Sequence, residues 1–263
     1  MTTPLASQKS VTVSGSGPGL LLAHGAGSDI EDSYGPVLES LGRHRTIVGP
    51  DYPGSGNNPL PDRPLTLDRL ADHIVESAVQ SGVHSFAISG FSMGAAVAVR
   101  AAARHPERVT ALVLSAGFAR TNARLDLAID TWRALGAPGG DGRLLASYLS
   151  LMVGGTRWLD ERSREEVEDQ VELFAAGMPP GTDAQLALFD DIDVRADLAR
   201  IAVPALVVSP LGDLLVTPVH SRELAEGIRG ARLATLDCGH AIAAERPAEW
   251  AGLITEFLAA VDG

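Results

Sequence analysis

The chain is poor in cysteine, aromatic residues and basic residues, and each shortage excludes a class of protein. Cys238 is the single cysteine among 263 residues, so an internal disulfide is excluded, and no Cys/His group has zinc-site spacing. Aromatic residues are only 5% of the chain, too few to suggest a platform for stacking nucleic-acid bases. The 33 acidic residues outnumber the 21 basic ones, and the net charge of −12 disfavours nucleic acid and anionic membranes as partners.

Long apolar runs are also missing. No uninterrupted run approaches the roughly 20 residues that span a bilayer. Residues 1–10 lack a charged segment followed by an apolar one, so they do not read as a secretory signal. We therefore expect a cytoplasmic protein with a small-molecule substrate and no membrane partner, and a homo-oligomer stays open.

A glycine-rich segment, Gly15-Ser16-Gly17-Pro18-Gly19, could suggest a dinucleotide site, but its context differs. The dinucleotide fingerprint follows a strand and opens a helix. Here the apolar run Leu20-Leu21-Leu22-Ala23 follows, which predicts a second strand, so the glycines form a turn. We expect no cofactor and no metal.

What the chain does have is a regular alternation of short apolar runs with helical patterns. This alternation predicts an α/β fold with a mostly parallel central sheet and helices on both faces. The predicted strands centre on residues 11–13, 20–23, 46–48, 87–90, 109–114, 205–209 and 231–236. With 45% hydrophobic residues, the chain can fill one large core.

The alternation stops between residues 120 and 195. Strand signals vanish there, and amphipathic helical stripes are separated by glycine and proline pairs. We predict a helical cap over residues 120–195, inserted into a core formed by residues 1–119 and 196–263. In the cap, Trp132, Tyr148, Phe174 and Met178 either fill its own core or face a ligand, and we carry them as candidate substrate contacts.

The segment Gly90-Phe91-Ser92-Met93-Gly94 joins a predicted buried strand to an Ala-rich predicted helix. It fits G-x-S-x-G, in which small residues permit a sharp strand-to-helix turn with the serine exposed at its apex. The start of the helix directs free N–H groups at that point, which stabilises developing negative charge. Ser92 is therefore the candidate nucleophile.

A serine hydroxyl needs an adjacent base, and the base needs an acid that orients it. His240 and Asp213 follow the last two predicted strands, where ligands bind in such sheets, and the order Ser92, Asp213, His240 is that of one known fold. Other carboxylates are available for the acid position: Asp190, Asp191, Asp193 and Asp237.

With these motifs the chain resembles lidded proteins of the α/β-hydrolase fold family over nearly its whole length. The resemblance rests on His24-Gly25-Ala26-Gly27, Asp51-Tyr52-Pro53-Gly54-Ser55-Gly56, the Ser92 pentapeptide, His105-Pro106-Glu107-Arg108-Val109, Gly212-Asp213 and Gly239-His240. It implies Ser92 as nucleophile, His240 as general base and acid, and Asp213 as its orienting acid. It also implies an oxyanion hole made by the backbone N–H groups of Ala26 and Met93.

The resemblance implies a serine hydrolase acting on a small-to-medium carboxylic ester, lactone or thioester through an acyl-enzyme. Two alternatives stay open. The same triad could run an elimination, lyase or cyclisation reaction of a biosynthetic pathway. A non-catalytic receptor on this scaffold is disfavoured because all three triad residues are present. We expect the ring of His24 only to tie its loop down, and Cys238 to be a small buried residue rather than a second nucleophile.

Overall fold

The computed structural model describes residues 10–60 and 63–263, and within them seven strands form one sheet. The strands are β1 (Val11–Gly15), β2 (Gly19–Ala23), β3 (Thr46–Pro50), β4 (Phe86–Phe91), β5 (Val109–Ser115), β6 (Ala205–Pro210) and β7 (Arg232–Leu236). Their spatial order is β1-β3-β2-β4-β5-β6-β7; β1 runs antiparallel to β3, and all other neighbours are parallel. The predicted α/β class is thereby confirmed.

Helices follow most strands. In the core these are α1 (Ile30–Gly42), α2 (Leu67–Gln80), α3 (Met93–Arg104), α10 (Pro218–Gly227), α11 (Ile242–Glu245) and α12 (Pro247–Asp262). Between β5 and β6 lie α4 (Ala123–Gly136), α5 (Gly142–Val153), α6 (Thr156–Asp160), α7 (Arg164–Ala175), α8 (Thr182–Ala187) and α9 (Arg195–Leu198). In the described part of the chain, no helix has both the length and the apolarity that a membrane span requires.

The sheet is covered on both faces because successive side chains of a strand point to opposite sides. Leu21 and Ile88 face one apolar cluster, which α2 and α3 complete. Leu20 and Leu22 face the other cluster, which α1 and α12 complete. This double burial explains why the inner strands read as continuous apolar runs rather than as alternating ones.

The segment between β5 and β6 is entirely helical apart from its loops, and its two ends meet. A single antiparallel bridge joins Arg120 to Asp193. Directly after it, α9 packs on α3, where Asp197 pairs with Arg100 at 2.7 Å. The two ends of the helical insertion therefore lie side by side where it joins the core. Its assignment as a separate cap over residues 120–195 stays a prediction.

Candidate active site

The turn at Ser92 exists because two glycines let a strand and a helix meet closely. A Cβ on Gly90 would lie 2.3 Å from the carbonyl oxygen of Gly94, and a Cβ on Gly94 would lie 2.1 Å from that of Ala23. Ser92 itself adopts φ 56° and ψ −124°, a conformation that costs a non-glycine residue on the order of 1–3 kcal/mol. The turn therefore holds a strained serine at the carboxyl end of β4.

The structure brings three distant side chains into one hydrogen-bonded chain at this turn. His240 Nε2 lies 3.0 Å from Ser92 Oγ, and His240 Nδ1 lies 2.6 Å from Asp213 Oδ2. All three residues are at most 7% exposed. With the imidazole proton on Nδ1, the Ser92 hydroxyl donates to Nε2, which is the arrangement a general base requires.

Asp213 is held by its own loop after β6. Its Oδ1 accepts hydrogen bonds from the backbone N–H groups of Leu215 (2.9 Å) and Val216 (2.8 Å), which leaves Oδ2 to face His240. Such side-chain bonds to amides two and three residues on are typical of aspartate in turns, so they could have been expected from the sequence. The four competing carboxylates, of Asp190, Asp191, Asp193 and Asp237, belong to exposed residues.

The loop that carries His240 is fixed by a buried carboxylate that the sequence analysis did not identify. Glu245, on α11, accepts hydrogen bonds from the N–H groups of Gly239 (3.0 Å) and Gly155 (2.9 Å). Gly155 belongs to the insertion, between α5 and α6, and nearby the Ala241 N–H donates to the Val153 carbonyl at 3.0 Å. Glu245 thus ties the insertion to the residue that precedes His240.

The predicted oxyanion hole lies between the first glycine loop and the start of α3. Met93 is the first residue of α3, so its N–H has no partner within the helix. Among the described residues, the Ala26 N–H likewise donates to no protein acceptor. Both amides are therefore free to bind an oxygen at the Ser92 turn, although their role stays a prediction.

His24 holds the loop of Ala26 by hydrogen bonds at both ring nitrogens, in line with the expectation that this ring ties its loop down. The backbone N–H of Tyr52 donates to its Nε2 at 2.9 Å, so the ring proton is on Nδ1 and is donated to the Gly25 carbonyl at 2.7 Å. Burial lowers the pKa of His24 to about 4, so the ring is neutral near neutral pH.

A cavity of about 810 Å³ opens above Ser92 and His240. Three of the four candidate substrate contacts, Trp132, Phe174 and Met178, line it. Tyr148 is not among the lining residues: its hydroxyl donates to the Ala128 carbonyl at 2.9 Å, so it ties α5 to α4 inside the insertion. The prediction that Tyr148 contacts substrate is not supported. Most other lining side chains are apolar, including Leu125, Ile129, Leu149, Val153, Phe189, Leu215 and Val216.

The charged part of the cavity wall comes from Asp32, from Arg162 in the turn between α6 and α7, and from Glu166 and Asp169 on α7. Arg162 lies 4.3 Å over the ring of Trp158 and pairs with Glu166 at 3.1 Å. Burial, together with its acidic neighbours, raises the pKa of Asp32. The wall is therefore apolar around Trp132 and Phe174 and polar along these charged residues, a division that periodicity in the sequence does not reveal.

Cys238 lies two residues before His240 and is buried. Burial raises the pKa of its thiol to about 12, so the thiolate that a cysteine nucleophile requires is absent near neutral pH. This agrees with its interpretation as a small buried residue.

The fold and the placement of these residues match a known family. The family model of the alpha/beta hydrolase fold matches residues 18–247, so the chain belongs to that family, and it is an enzyme of the alpha/beta hydrolase fold. The expected resemblance is confirmed.

Individual relatives extend over nearly the whole chain. The pyrrolizixenacetamide deacetylase of Xenorhabdus hominickii is 31% identical, over 97% of this chain and 96% of its own. A protein of Azorhizobium caulinodans, provisionally named a carbamate hydrolase, is 29% identical over 95% and 94%. The crystal structure of the enol-lactonase from Burkholderia xenovorans LB400 has a TM-score of 0.83 at 25% identity and covers 97% of this chain and 100% of that one.

Proposed function

We propose that the protein is a serine hydrolase that cleaves a small-to-medium carboxylic ester, lactone, thioester or amide through an acyl-enzyme. The observation that carries this proposal is the unbroken chain from Ser92 Oγ through His240 to Asp213, at 3.0 and 2.6 Å, at the floor of the cavity. Such a chain turns a weakly nucleophilic hydroxyl into a reactive one.

In the first half-reaction, Ser92 Oγ attacks the substrate carbonyl carbon while His240 Nε2 takes the hydroxyl proton. The carbonyl oxygen becomes an oxyanion and accepts hydrogen bonds from the N–H groups of Ala26 and Met93. Collapse breaks the bond to the leaving group, which takes the proton from His240. Asp213 keeps the imidazole oriented and stabilises its cationic form throughout.

In the second half-reaction, His240 removes a proton from water, and the resulting hydroxide equivalent attacks the acyl carbon. Collapse of the second tetrahedral intermediate releases the acid and returns the proton to Ser92. The apolar wall formed by Leu125, Ile129 and Trp132 suits a substrate whose non-reacting part is apolar, and about 810 Å³ suits a small-to-medium molecule.

The names of the relatives support this breadth of substrate. A deacetylase, a carbamate hydrolase and an enol-lactonase all cleave a bond between a carbonyl carbon and nitrogen or oxygen. We therefore include amides beside the oxygen and sulfur esters that the sequence suggested.

Labelling and kinetics test the proposal together. A fluorophosphonate probe is expected to modify Ser92 in the wild-type protein and not in Ser92→Ala, and p-nitrophenyl acetate and an acetanilide are expected to be turned over by the wild type alone. Hydrolysis in ¹⁸O-labelled water is expected to place label in the acid product. A wild-type protein that converts substrate without incorporating label would instead support the elimination or cyclisation alternative, and a protein that neither reacts with the probe nor hydrolyses any acyl substrate would refute catalysis by Ser92.

A further inference from the structure

Gln185 is a fully buried side chain through which the insertion contacts the glycine loop after β2. It lies on α8, and its exposed fraction is 0%. Its Oε1 accepts the hydrogen bond of the Gly27 N–H at 2.9 Å, and its Nε2 donates to Ser55 Oγ at 2.8 Å. Ser55 Oγ in turn donates to the Ser28 carbonyl at 2.7 Å. Both ends of one amide are thus used to join two core loops to the insertion.

The contact lies next to the amide predicted to stabilise the oxyanion. The Gly27 N–H shares a peptide plane with the Ala26 carbonyl, so Gln185 fixes the plane that follows Ala26. The plane that precedes Ala26 contains the Gly25 carbonyl, which accepts from His24 Nδ1. The Ala26 N–H lies in the plane that the core histidine holds, and the glutamine of the insertion holds the plane on the other side of Ala26.

This loop needs such support because glycine flanks Ala26 on both sides. Gly27 has φ +65°, and glycine is the residue with the widest choice of backbone conformations. Without the Gln185 amide, the Gly27 N–H would be left unpaired in a half-buried position and the peptide could rotate to find water. Rotation of that peptide would release one of the two planes that fix Ala26, so only the contact of His24 would still hold the direction of the Ala26 N–H. A donor in the wrong direction gives little stabilisation of an oxyanion.

Other contacts hold the insertion against the core even when the Gln185 amide is removed. The Gly181 N–H donates to the Gly54 carbonyl at 2.9 Å. Trp132 covers the loop so closely that a Cβ on Gly27 would lie 2.7 Å from its ring. Removing the Gln185 amide should therefore change the orientation of the loop that carries Ala26 and Gly27, while the insertion stays attached to the core.

We propose that Gln185 is a positioning residue that preorganises the Ala26 N–H, so that the insertion completes the oxyanion hole as well as covering the cavity. The inference rests on the proposed function, because it assumes that an oxyanion forms at Ser92. Its expected signature is a loss in kcat with little change in KM, since the bound substrate relies on the cavity walls and the oxyanion relies on the amides.

The test compares Gln185→Met, which keeps the length of the side chain and removes both hydrogen bonds, with Gln185→Glu, which keeps an acceptor for the Gly27 N–H. The matched control is Gln80→Met, at the exposed end of α2. For Gln185→Met we expect kcat for p-nitrophenyl acetate to fall about 10- to 100-fold with KM within about 3-fold. Gln185→Glu is expected to lose less, and Gln80→Met nothing.

A second readout separates orientation of the oxyanion hole from general damage. A trifluoromethyl ketone forms a tetrahedral adduct on the serine, so its inhibition constant is expected to rise for Gln185→Met by the same factor as kcat/KM falls. Ser55→Ala, which removes the acceptor of Gln185 Nε2, is expected to show a smaller loss of the same kind, and it supplies the test if Gln185→Met does not fold.

The outcomes also distinguish this inference from the proposed function. A wild-type enzyme that reacts with fluorophosphonate, together with a folded Gln185→Met that reacts at the same rate and keeps its kcat, would overturn the role of Gln185 alone. A loss of kcat without weaker trifluoromethyl ketone binding would also overturn it. A wild type whose Ser92 does not react would overturn the proposed function and this inference with it.

Discussion

The buried histidine beneath the oxyanion loop makes the protein sensitive to mild acid. His24 is fully buried, and burial lowers its pKa from 6.5 to about 4. Its Nε2 must stay unprotonated to accept the hydrogen bond of the Tyr52 N–H. Protonation therefore favours the unfolded chain, in which the imidazole is hydrated and titrates normally.

The sign and the size of this effect on the unfolding free energy follow from the linkage between proton binding and folding. The folded pKa lies below the unfolded one, so the unfolded state binds more protons between pH 6.5 and 4, and stability falls as pH is lowered through that window. With a pKa of 6.5 in the unfolded chain and about 4 in the fold, His24 alone removes about 2 kcal/mol of unfolding free energy between pH 7 and pH 5.

Other groups titrate in or near the same window. Burial also lowers the pKa of His73, whose Nε2 lies 3.0 Å from the Asp51 carbonyl, and that of His220, so both act in the same direction as His24. Burial raises the carboxyl pKa of Asp32 and of Glu76, which act in the opposite direction. A variant that changes only His24 is therefore needed to isolate its contribution to the pH dependence of stability.

The assay is urea denaturation at pH 7 and pH 5 for the wild type and for His24→Asn. The variant loses stability at both pH values, because Asn cannot replace the ring against Tyr52, whose centroid lies 3.8 Å away. The informative quantity is the difference between the two pH values, which is expected to be about 2 kcal/mol smaller in the variant. NMR of the wild type should find His24 neutral at pH 5. An unchanged difference, or a His24 that titrates near 6.5, would refute the reasoning.

Three further predictions concern the backbone around the site. Ser92→Gly should be about 1 kcal/mol more stable to urea than Ser92→Ala, because glycine relieves the strain at φ 56° and alanine keeps it; equal stabilities would contradict this. Gly155→Ala would place a Cβ 2.6 Å from the Gly239 N, so the rate of ester hydrolysis should fall at least about 10-fold, whereas Gly142→Ala, with no atom within 4 Å, should keep it. Glu245→Ala should lower the unfolding free energy by about 2–4 kcal/mol, since two buried N–H groups lose their acceptor. If urea denaturation gives a smaller decrease in unfolding free energy, water has replaced the carboxylate and the prediction is wrong.

The sheet and the positions of the candidate catalytic residues could be predicted from the sequence because both leave local signals. Strands buried on both faces read as apolar runs, as at Gly19–Ala23 and Ala205–Pro210. The glycines at 90 and 94 mark the turn at Ser92, because no other residue fits there. Asp213 and His240 follow strands whose carboxyl ends share one edge of the sheet.

The contacts between insertion and core left no comparable signal. Gln185 and Glu245 act on residues 158 and 90 positions away, and nothing in their neighbours' spacing indicates those partners. A helical stripe also predicts a buried face without saying what covers it: Tyr148 shares a stripe with Leu149, yet it bonds within the insertion. The helices α6, α8 and α9, of four to six residues, are too short to show a period.

The strain at the site is maintained by the sheet rather than by local sequence preference. In the described part of the chain, Ser92 and Ala116 are the two non-glycine residues with positive φ, and they follow β4 and β5, which are neighbours. Each N–H donates to the next strand: that of Ser92 to the Ser115 carbonyl at 2.9 Å, and that of Ala116 to the Val208 carbonyl at 3.0 Å. These two hydrogen bonds continue the pairing of the sheet by one residue beyond the ends of β4 and β5. The backbone must therefore turn sharply at Ser92 and at Ala116 to leave the sheet. The position of the Ser92 hydroxyl beyond the end of β4 is thus a consequence of pairing among three buried strands. Substitutions that loosen the pairing of β4 with β5 should change the Ser92–His240 distance before they change the cavity.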